Sequence, residues 1–393
     1  MKIAIVFDMM LWGGIERVGI SYVKLLTEAG HTVDAYILNP ETESIIEELK
    51  NLCNVQVINF SKKTCPEGRW HIVKYRNKFG LEIFAFAIVY VMLNIKNAVL
   101  KSRYSNKRQE YDFAIAFSGH INDLTYVANN YIKAKHKIAW LHGTQYSYNI
   151  LSPGFFRLYR KIGNLVCLSD IGDQECEAFN KMSNIRKKKI YNPCIINESL
   201  PDERIVNDLN KKYGEYCLMV ARLANDKDQA TAIRAMKYLK DYYSISKHLV
   251  LVGDGNKRKE LEQLVDELDM HKWIHFEGSR SDVQNYYSSA YLLVHSAPLE
   301  GLPTVFLEAM KFGVPIASTD AVPGAREVLG NNEYGLLSPI GDFKELAKSI
   351  KTLYQDKNIR EELIKKENIR INDFAPDKIF NEFSDYLNEI KQY

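Results

Sequence analysis

The chain has 393 residues, of which 46% are hydrophobic and 26% charged, with a net charge of +3. That length accommodates two domains of ordinary size, and the composition excludes the disordered and fibrous classes. The charge is unevenly spread: residues 1–190 carry +9 and the remainder −6. A basic half joined to an acidic half implies that the first half faces something anionic, whether phosphate, lipid surface or nucleic acid.

In chain order, KIAIVF (2–7) reads as a buried strand bounded by the turn residues Gly13 and Gly14. Ile15, Val18, Tyr22, Leu25 and Ala29 then follow at helical spacing, and Gly30 ends the helix. Further strands are expected at 31–38, 54–60, 112–117, 136–141 and 164–169, alternating with helices, which implies a doubly wound parallel sheet. The pattern restarts with strands at 215–223, 248–255, 273–278, 290–296 and 314–319. The expected division is a first Rossmann-like domain over 1–196, a polar linker over 197–210, a second such domain over 211–375 and an amphipathic helix over 376–393. By analogy with such folds, the last helix crosses back to the first domain.

One segment breaks the rhythm. LEIFAFAIVYVMLNI lies between Phe79 and Ile95, with Arg69, Lys74, Arg76 and Lys78 before it and Lys96, Lys101, Arg103, Lys107 and Arg108 after it. Crossing a bilayer takes roughly 20 apolar residues, and Glu82 and Asn94 cut this run short. The stretch 69–108 therefore reads either as a contact with a membrane surface or as a buried or dimer-forming helix. Six cysteines (Cys53, Cys65, Cys167, Cys176, Cys194, Cys217) without a Cys-x-x-Cys suit reduced thiols. Together with an N-terminus that enters a strand directly, they lead to the expectation of a cytoplasmic protein, peripheral on the inner face of the membrane if 69–108 touches it.

The strongest chemical signal is EGLPTVFLEAMKFG (300–313), with Glu300 and Glu308 eight residues apart after a strand ending in His295-Ser296. Pro303 suits the first turn of a helix, which places Glu308 inside that helix and Glu300 in the loop before it. Such a helix N-terminus, at Leu302, Pro303 and Thr304, directs free N–H groups at a diphosphate. Carboxylates at both ends of the string can each accept two sugar hydroxyls, one set from a ribose and one from a hexose.

This string resembles the Glu-x(7)-Glu motif of family 4 glycosyltransferases, the large retaining group with the GT-B fold. The resemblance implies an α/β architecture of two Rossmann-like domains facing each other across a cleft. It also implies that Glu300 contacts the donor sugar and Glu308 the ribose. VARLANDKD (220–228) resembles the family's Arg-Leu-x(3)-Lys element, which puts Arg222 and Lys227 on the donor diphosphate, where they would neutralise charge on the leaving group. LVGDGNKRKEL (251–261) resembles the Val-Gly-x-Gly strand end, with Gly253 and Gly255 closing around the nucleotide. WGGIERV (12–18) resembles the glycine turn that brings Gly13 and Gly14 to the diphosphate. His142 in WLHG (140–143) matches a histidine beside the transferred sugar, and Gly324 and Glu327 in DAVPGAREVL (320–329) match a loop that shapes the sugar pocket.

The expected activity is hexosyl or N-acetylhexosaminyl transfer from a nucleotide sugar, by family habit a UDP-sugar, to a lipid-linked glycan acceptor of the cell envelope. No Asp-x-Asp follows a strand, so neither metal nor other cofactor is expected. Epimerase or phosphorylase chemistry, or a noncatalytic nucleotide-binding scaffold, are the competing readings. No helix-turn-helix, zinc or RNA-binding motif points to nucleic acid.

Overall fold

The structure is a computed structural model, and it describes residues 1–10, 13–60, 82–143, 154–178, 184–194 and 200–392. Trp12, Cys65, the bases Arg69, Lys74, Arg76 and Lys78, and positions 197–199 of the expected linker lie outside the described residues. The chain forms two compact units: residues 1–191 with 380–393, and residues 192–379.

Unit 1 runs β1 (Lys2–Met10), α1 (Gly14–Glu28), β2 (Thr32–Pro40), α2 (Glu43–Lys50), β3 (Asn54–Val57), α3 (Glu82–Tyr104) and β4 (Asn106–Ala116). It continues with α4 (Ile121–Ala128), β5 (Ile132–Leu141), α5 (Gly154–Ile162), β6 (Asn164–Cys167), α6 (Asp170–Ala178) and β7 (Arg186–Lys189). The strands form a seven-stranded sheet in the order β3-β2-β1-β4-β5-β6-β7, and every pairing is parallel. Strand β1 is covered on both faces, with Ile3 to Phe7 fully buried, which is why it reads as an unbroken apolar run. β7 is the strand of this sheet that sequence pattern missed, as are Leu299–Glu300, Val322–Pro323 and Leu336–Ser338 in the second half of the chain. Its residues are Arg186-Lys187-Lys188-Lys189, a charged edge in which Lys187 meets Asp173 (3.0 Å) and Lys189 meets Asp170 (2.6 Å). Lysines on an edge strand keep it from pairing further, and they also erase the apolar signal of a strand.

Unit 2 opens with α7 (Glu203–Tyr213), where a polar linker over 197–210 was expected. The Asp202 carboxylate caps it by accepting from Arg204 N (2.8 Å), and Leu209 and Tyr213 are its buried face. The stretch looked like a linker because so narrow an apolar stripe leaves most of its positions polar. Then come β8 (Tyr216–Val220), α8 (Gln229–Tyr243), β9 (His248–Val252), α9 (Arg258–Glu267), β10 (Ile274–Gly278), α10 (Val283–Ser289), β11 (Leu292–His295) and β12 (Leu299–Glu300). They are followed by α11 (Thr304–Lys311), β13 (Ile316–Thr319), β14 (Val322–Pro323), α12 (Gly324–Leu329), β15 (Leu336–Ser338), α13 (Phe343–Gln355) and α14 (Lys357–Arg370). Six strands form a parallel sheet ordered β10-β9-β8-β11-β13-β15, while β12 and β14 make a separate two-stranded pair.

The final helix, α15 (Pro376–Lys391), begins in unit 2, and from Phe380 onward it belongs to unit 1. Phe383, Tyr386, Leu387 and Ile390 are buried. Phe383 packs edge-on against Tyr22 (5.3 Å), and Tyr386 Oη donates to Arg186 O (3.0 Å).

Candidate active site

In a doubly wound sheet, ligands bind beyond the carboxyl ends of the strands, where strand order reverses. In unit 2 that point lies between β8 and β11; Arg222 and Lys227 follow β8, His295 ends β11 and Glu300 follows it in β12. Ser296 Oγ donates to Asp228 O (2.7 Å) and so ties the segment after β11 to that after β8, while Thr319 Oγ1, at the end of β13, donates to Ala297 O (2.7 Å). Asp228, with φ +45°, caps α8 by accepting from Thr231 N and Oγ1. That cap fixes the short 3-10 turn Asn225–Lys227 just ahead of it.

The structure brings Lys227 and Glu300 together. Lys227 Nζ lies 2.5 Å from Glu300 Oε1, and His295 Nε2 donates to the same oxygen at 3.0 Å. Burial alone would raise the Glu300 carboxyl. The His295 hydrogen bond and the Lys227 ammonium overcome it and hold the group at about 2. Among the described residues Oε2 has no recorded partner, so the carboxylate keeps one oxygen for a ligand. Glu300 sits in β12 rather than in a free loop, because Leu299–Glu300 pairs with Val322–Pro323. A Cβ at Gly324 would come within 2.6 Å of Gly301 O, so the backbone of that pair approaches as closely as only glycine allows. Glu327, on α12, gives its carbonyl to Arg370 Nη2 (2.6 Å).

Arg222 stands apart from this pair. Its guanidinium is 56% exposed and reaches Asp226 Oδ2 only at 3.4 Å, so it is a loosely held cation that an anion can capture. α11 starts at Thr304, with the buried Pro303 as its cap (φ −71°, ψ 105°), one position earlier than the first-turn placement expected. The extended ψ of Pro303 is what keeps it outside the helix. Leu302 is buried and Thr304 half-buried. Glu308 lies one turn along α11, and burial together with its negative charge pushes the Cys194 thiol up to about 12. Gly253 has φ +138° and Gly255 an ordinary φ, yet both are required. A Cβ would fall 2.0 Å from Ala221 O at the first and 2.4 Å from Leu223 O at the second. The loops after β8 and β9 therefore touch backbone to backbone.

In unit 1 the order reverses between β1 and β4. Gly13 caps α1, and a Cβ there would meet Glu16 Oε2 at 2.6 Å; Gly14 is the first helical residue. His142, just past β5, is buried, and its Nε2–H donates to Phe117 O (2.6 Å). Burial lowers it to about 4, so the ring stays neutral at physiological pH and offers Nδ1 as an acceptor. Sequence reasoning passed over two features. One is His295, the second donor to Glu300, whose signal was a histidine at the end of a buried strand directly before the motif. The other is the polar cluster Asp8, Asn39, Ser118, His120, Asn122 and Asp123, signalled by a carboxylate at the end of β1 and by the string SGHIND after β4. Among the described residues no three His, Cys, Asp or Glu side chains converge to hold a metal, and no helix is long and apolar enough to cross a membrane.

Residues 202–370 match the family Glycosyl transferases group 1. One similar curated protein, from Campylobacter jejuni, is a GalNAc-α-(1→4)-GalNAc-α-(1→3)-diNAcBac-PP-undecaprenol α-1,4-N-acetyl-D-galactosaminyltransferase. It is 25% identical over 343 residues, which cover 86% of this chain and 92% of the relative. A second C. jejuni enzyme, N-acetylgalactosamine-N,N'-diacetylbacillosaminyl-diphospho-undecaprenol 4-α-N-acetylgalactosaminyltransferase, is 28% identical over 44% of this chain and 46% of its own length. Among solved structures, Anabaena HepE in complex with UDP-glucose superposes with a TM-score of 0.74 at 19% identity, covering 99% of this chain and all of that one. Sucrose-phosphate synthase from Thermosynechococcus elongatus gives a TM-score of 0.71 at 17% identity, covering 100% and 99%. The segment 202–370 is thus similar to the group 1 glycosyltransferases, and the two parallel-sheet units are those of the GT-B fold.

Proposed function

We propose that this glycosyltransferase moves a hexose or N-acetylhexosamine, with retention of configuration, from a UDP-sugar to a lipid-linked glycan. The observation that carries the donor assignment is the Glu300 carboxylate, fixed by Lys227 and His295 through one oxygen and open at the other. In this reading that open oxygen accepts sugar hydroxyls and Glu308 accepts those of the ribose. Arg222 and the amides at the start of α11 (Leu302, Pro303, Thr304) take the diphosphate, the leaving group whose charge grows in the transition state. Lys227 shares its charge between Glu300 and that diphosphate, and Gly253 and Gly255 let backbone close on the nucleotide. Gly13, Gly14 and His142 are unit 1's share of the reaction, and unit 1 takes the acceptor. With these cations in place the reaction uses no metal, and the departing phosphate oxygen takes the proton of the attacking hydroxyl.

UDP and UDP-glucose complexes of the HepE fold and the undecaprenol-linked substrates named for the C. jejuni enzymes support donor and acceptor class respectively. A peripheral position at a membrane surface is supported by α3. Ile88, Val91, Met92, Ile95 and Val99 are spaced along one face of that helix and are all more than half exposed, and Lys101 and Arg103 lie in its last turn.

The test is thermal unfolding against UDP-, GDP- and ADP-sugars, with Glu308→Ala alongside. At about a hundred times its dissociation constant a bound donor adds roughly 2.7 kcal/mol. A shift with UDP-sugars alone, abolished in the variant, is expected; no shift with any nucleotide sugar refutes the assignment. Turnover of the donor without acceptor, yielding an epimer, would replace it with isomerase chemistry.

A further inference from the structure

The polar cluster at the β1/β4 reversal point of unit 1 is not among the groups assigned to the donor above, and its construction is specific. Asp8 ends the buried stretch of β1. Its backbone N–H donates to Ser118 Oγ (3.0 Å), which joins the end of β1 to that of β4. The Asp8 carboxylate is held through Oδ1 by two side-chain amides, Asn39 Nδ2 (2.7 Å) and Asn122 Nδ2 (2.9 Å). Its other oxygen, Oδ2, faces His120 Nδ1 at 3.3 Å. The Asp8 side chain is 6% exposed and that of His120 31%. One ring nitrogen of His120 is thus committed inward to a carboxylate that cannot turn, and the ring is part-exposed beyond it. Among the described residues its Nε2 has no recorded partner.

The charges decide what such a group can bind. Burial raises Asp8 and lowers His120, but their mutual hydrogen bond, with the two amides on Asp8, reverses both effects and favours the ionised pair. Asp123 on α4 is fully buried, accepts from Gly119 N (2.9 Å), and is pushed up to about 8 by that burial, so it stays protonated and neutral at pH 7. His142 is neutral. Glu16, on the first turn of α1, adds a negative charge that acts on His120. The groups around His120 therefore sum to no excess positive charge. Without such an excess the group favours a neutral polyhydroxylated ligand over a doubly charged phosphate. Among the described residues Asn122 Oδ1 and Asp123 Oδ1, both buried, have no hydrogen-bond partner. A cluster this dense in polar groups and incompletely satisfied is more than a packing feature.

We propose that the Asp8–His120 couple is an acceptor-sugar site, in which His120 Nε2–H donates to a hydroxyl of the sugar that receives the transferred residue. It rests on the reading that unit 1 takes the acceptor, and it names the residue and the ligand chemistry: hydroxyls, not the lipid diphosphate. Asp8 is the positioning residue that keeps the imidazolium charged and fixed, and His120 makes the contact.

The experiment is saturation-transfer NMR on the full chain with methyl N-acetyl-α-galactosaminide and methyl α-glucoside, for wild type, His120→Ala, His120→Gln and Asp8→Asn. The wild type is expected to bind at least one glycoside. His120→Ala is expected to weaken binding roughly tenfold or more, as loss of a charged donor does. His120→Gln keeps a neutral N–H and should lose less. Wild-type binding should also weaken as pH rises and the imidazolium of His120 loses its proton, in surroundings that include Asp8, Glu16, Asp123 and His142. That dependence should vanish in His120→Gln, which a merely structural histidine would not produce. Inorganic phosphate should not compete. Wild-type affinity in His120→Ala, no binding of either glycoside to the wild type, or displacement by phosphate overturns the proposal. The thermal shift with UDP, measured on the same samples, reports separately on the donor reading: its absence in the wild type refutes the UDP assignment, and its presence in the variants shows them folded. If His120→Ala fails to fold, His120→Gln decides by its affinity and its pH profile.

Discussion

Replacing Glu300 by Gln should cost unit 2 a measurable part of its stability, in a way that depends on pH. The carboxyl is held at about 2 against an ordinary glutamate value of 4.5. At about 1.4 kcal/mol per pH unit, that difference corresponds to about 3 kcal/mol of stability supplied by the charged form. The side chain is 13% exposed, so solvent screens little of it. Because the folded-state value is depressed, this contribution is fully present above pH 4.5 and is lost as the pH falls from 4.5 toward 2. Glu300→Gln lacks it at every pH. It also leaves Lys227 facing an amide, and an unpaired cation in a site only 19% exposed adds to the loss. Urea unfolding of wild type and variant, followed by tryptophan fluorescence at pH 7, 5, 4 and 3.5, should therefore show a gap of about 3 kcal/mol at pH 7. That gap should shrink by about 1.4 kcal/mol for each pH unit below 4.5. A gap below about 1 kcal/mol at pH 7, or one that stays constant down to pH 3.5, would mean that Lys227 and His295 do not hold this carboxylate as described.

Glu367, on α14, is the opposite case. Among the described residues neither of its buried oxygens makes a well-formed hydrogen bond, and burial pushes it up to about 8. A raised carboxyl weakens the fold as pH climbs from 4.5 to 8, because only the unfolded chain then ionises freely. Glu367→Gln, which mimics the protonated acid, should gain about 3 kcal/mol at pH 7 and nothing at pH 4, as read by urea unfolding; a loss at pH 7 would refute this. At the apolar face of α3, wild-type protein should sediment with vesicles containing anionic lipid. Ile88→Ser combined with Met92→Ser and Ile95→Ser should sediment several-fold less, without a change in melting temperature, since these side chains are exposed. Equal sedimentation of the triple variant would remove α3 from any membrane contact.

Much of this protein was legible from the order of its residues alone. Strands buried on both faces in a parallel sheet must be apolar throughout, so β1, β8, β9 and β11 announce themselves, and with alternating helices they imply two doubly wound sheets. The string from Glu300 to Gly313 placed the donor candidates by resemblance, since helix start, carboxylate spacing and glycine turns are all local features. The edge strand β7 was hidden because four basic side chains carry no hydrophobic period. The helix α7 was hidden because only Leu209 and Tyr213 mark its buried side.

What sequence could not reach depends on contacts far apart in the chain. Lys227 and Glu300 are 73 residues apart, and nothing local says that they share an oxygen with His295. Asp8 and Asn122 are 114 apart, so the couple that holds His120 exists only once β1 and β4 lie side by side. Burial is likewise a property of the folded chain, and it sets the state of each group. It keeps Asp123 and Glu367 protonated and His142 neutral, while two donors keep Glu300 ionised in spite of it. Residue types and their spacing determine which chemistry is possible; the dielectric and the partners that decide protonation come from tertiary packing.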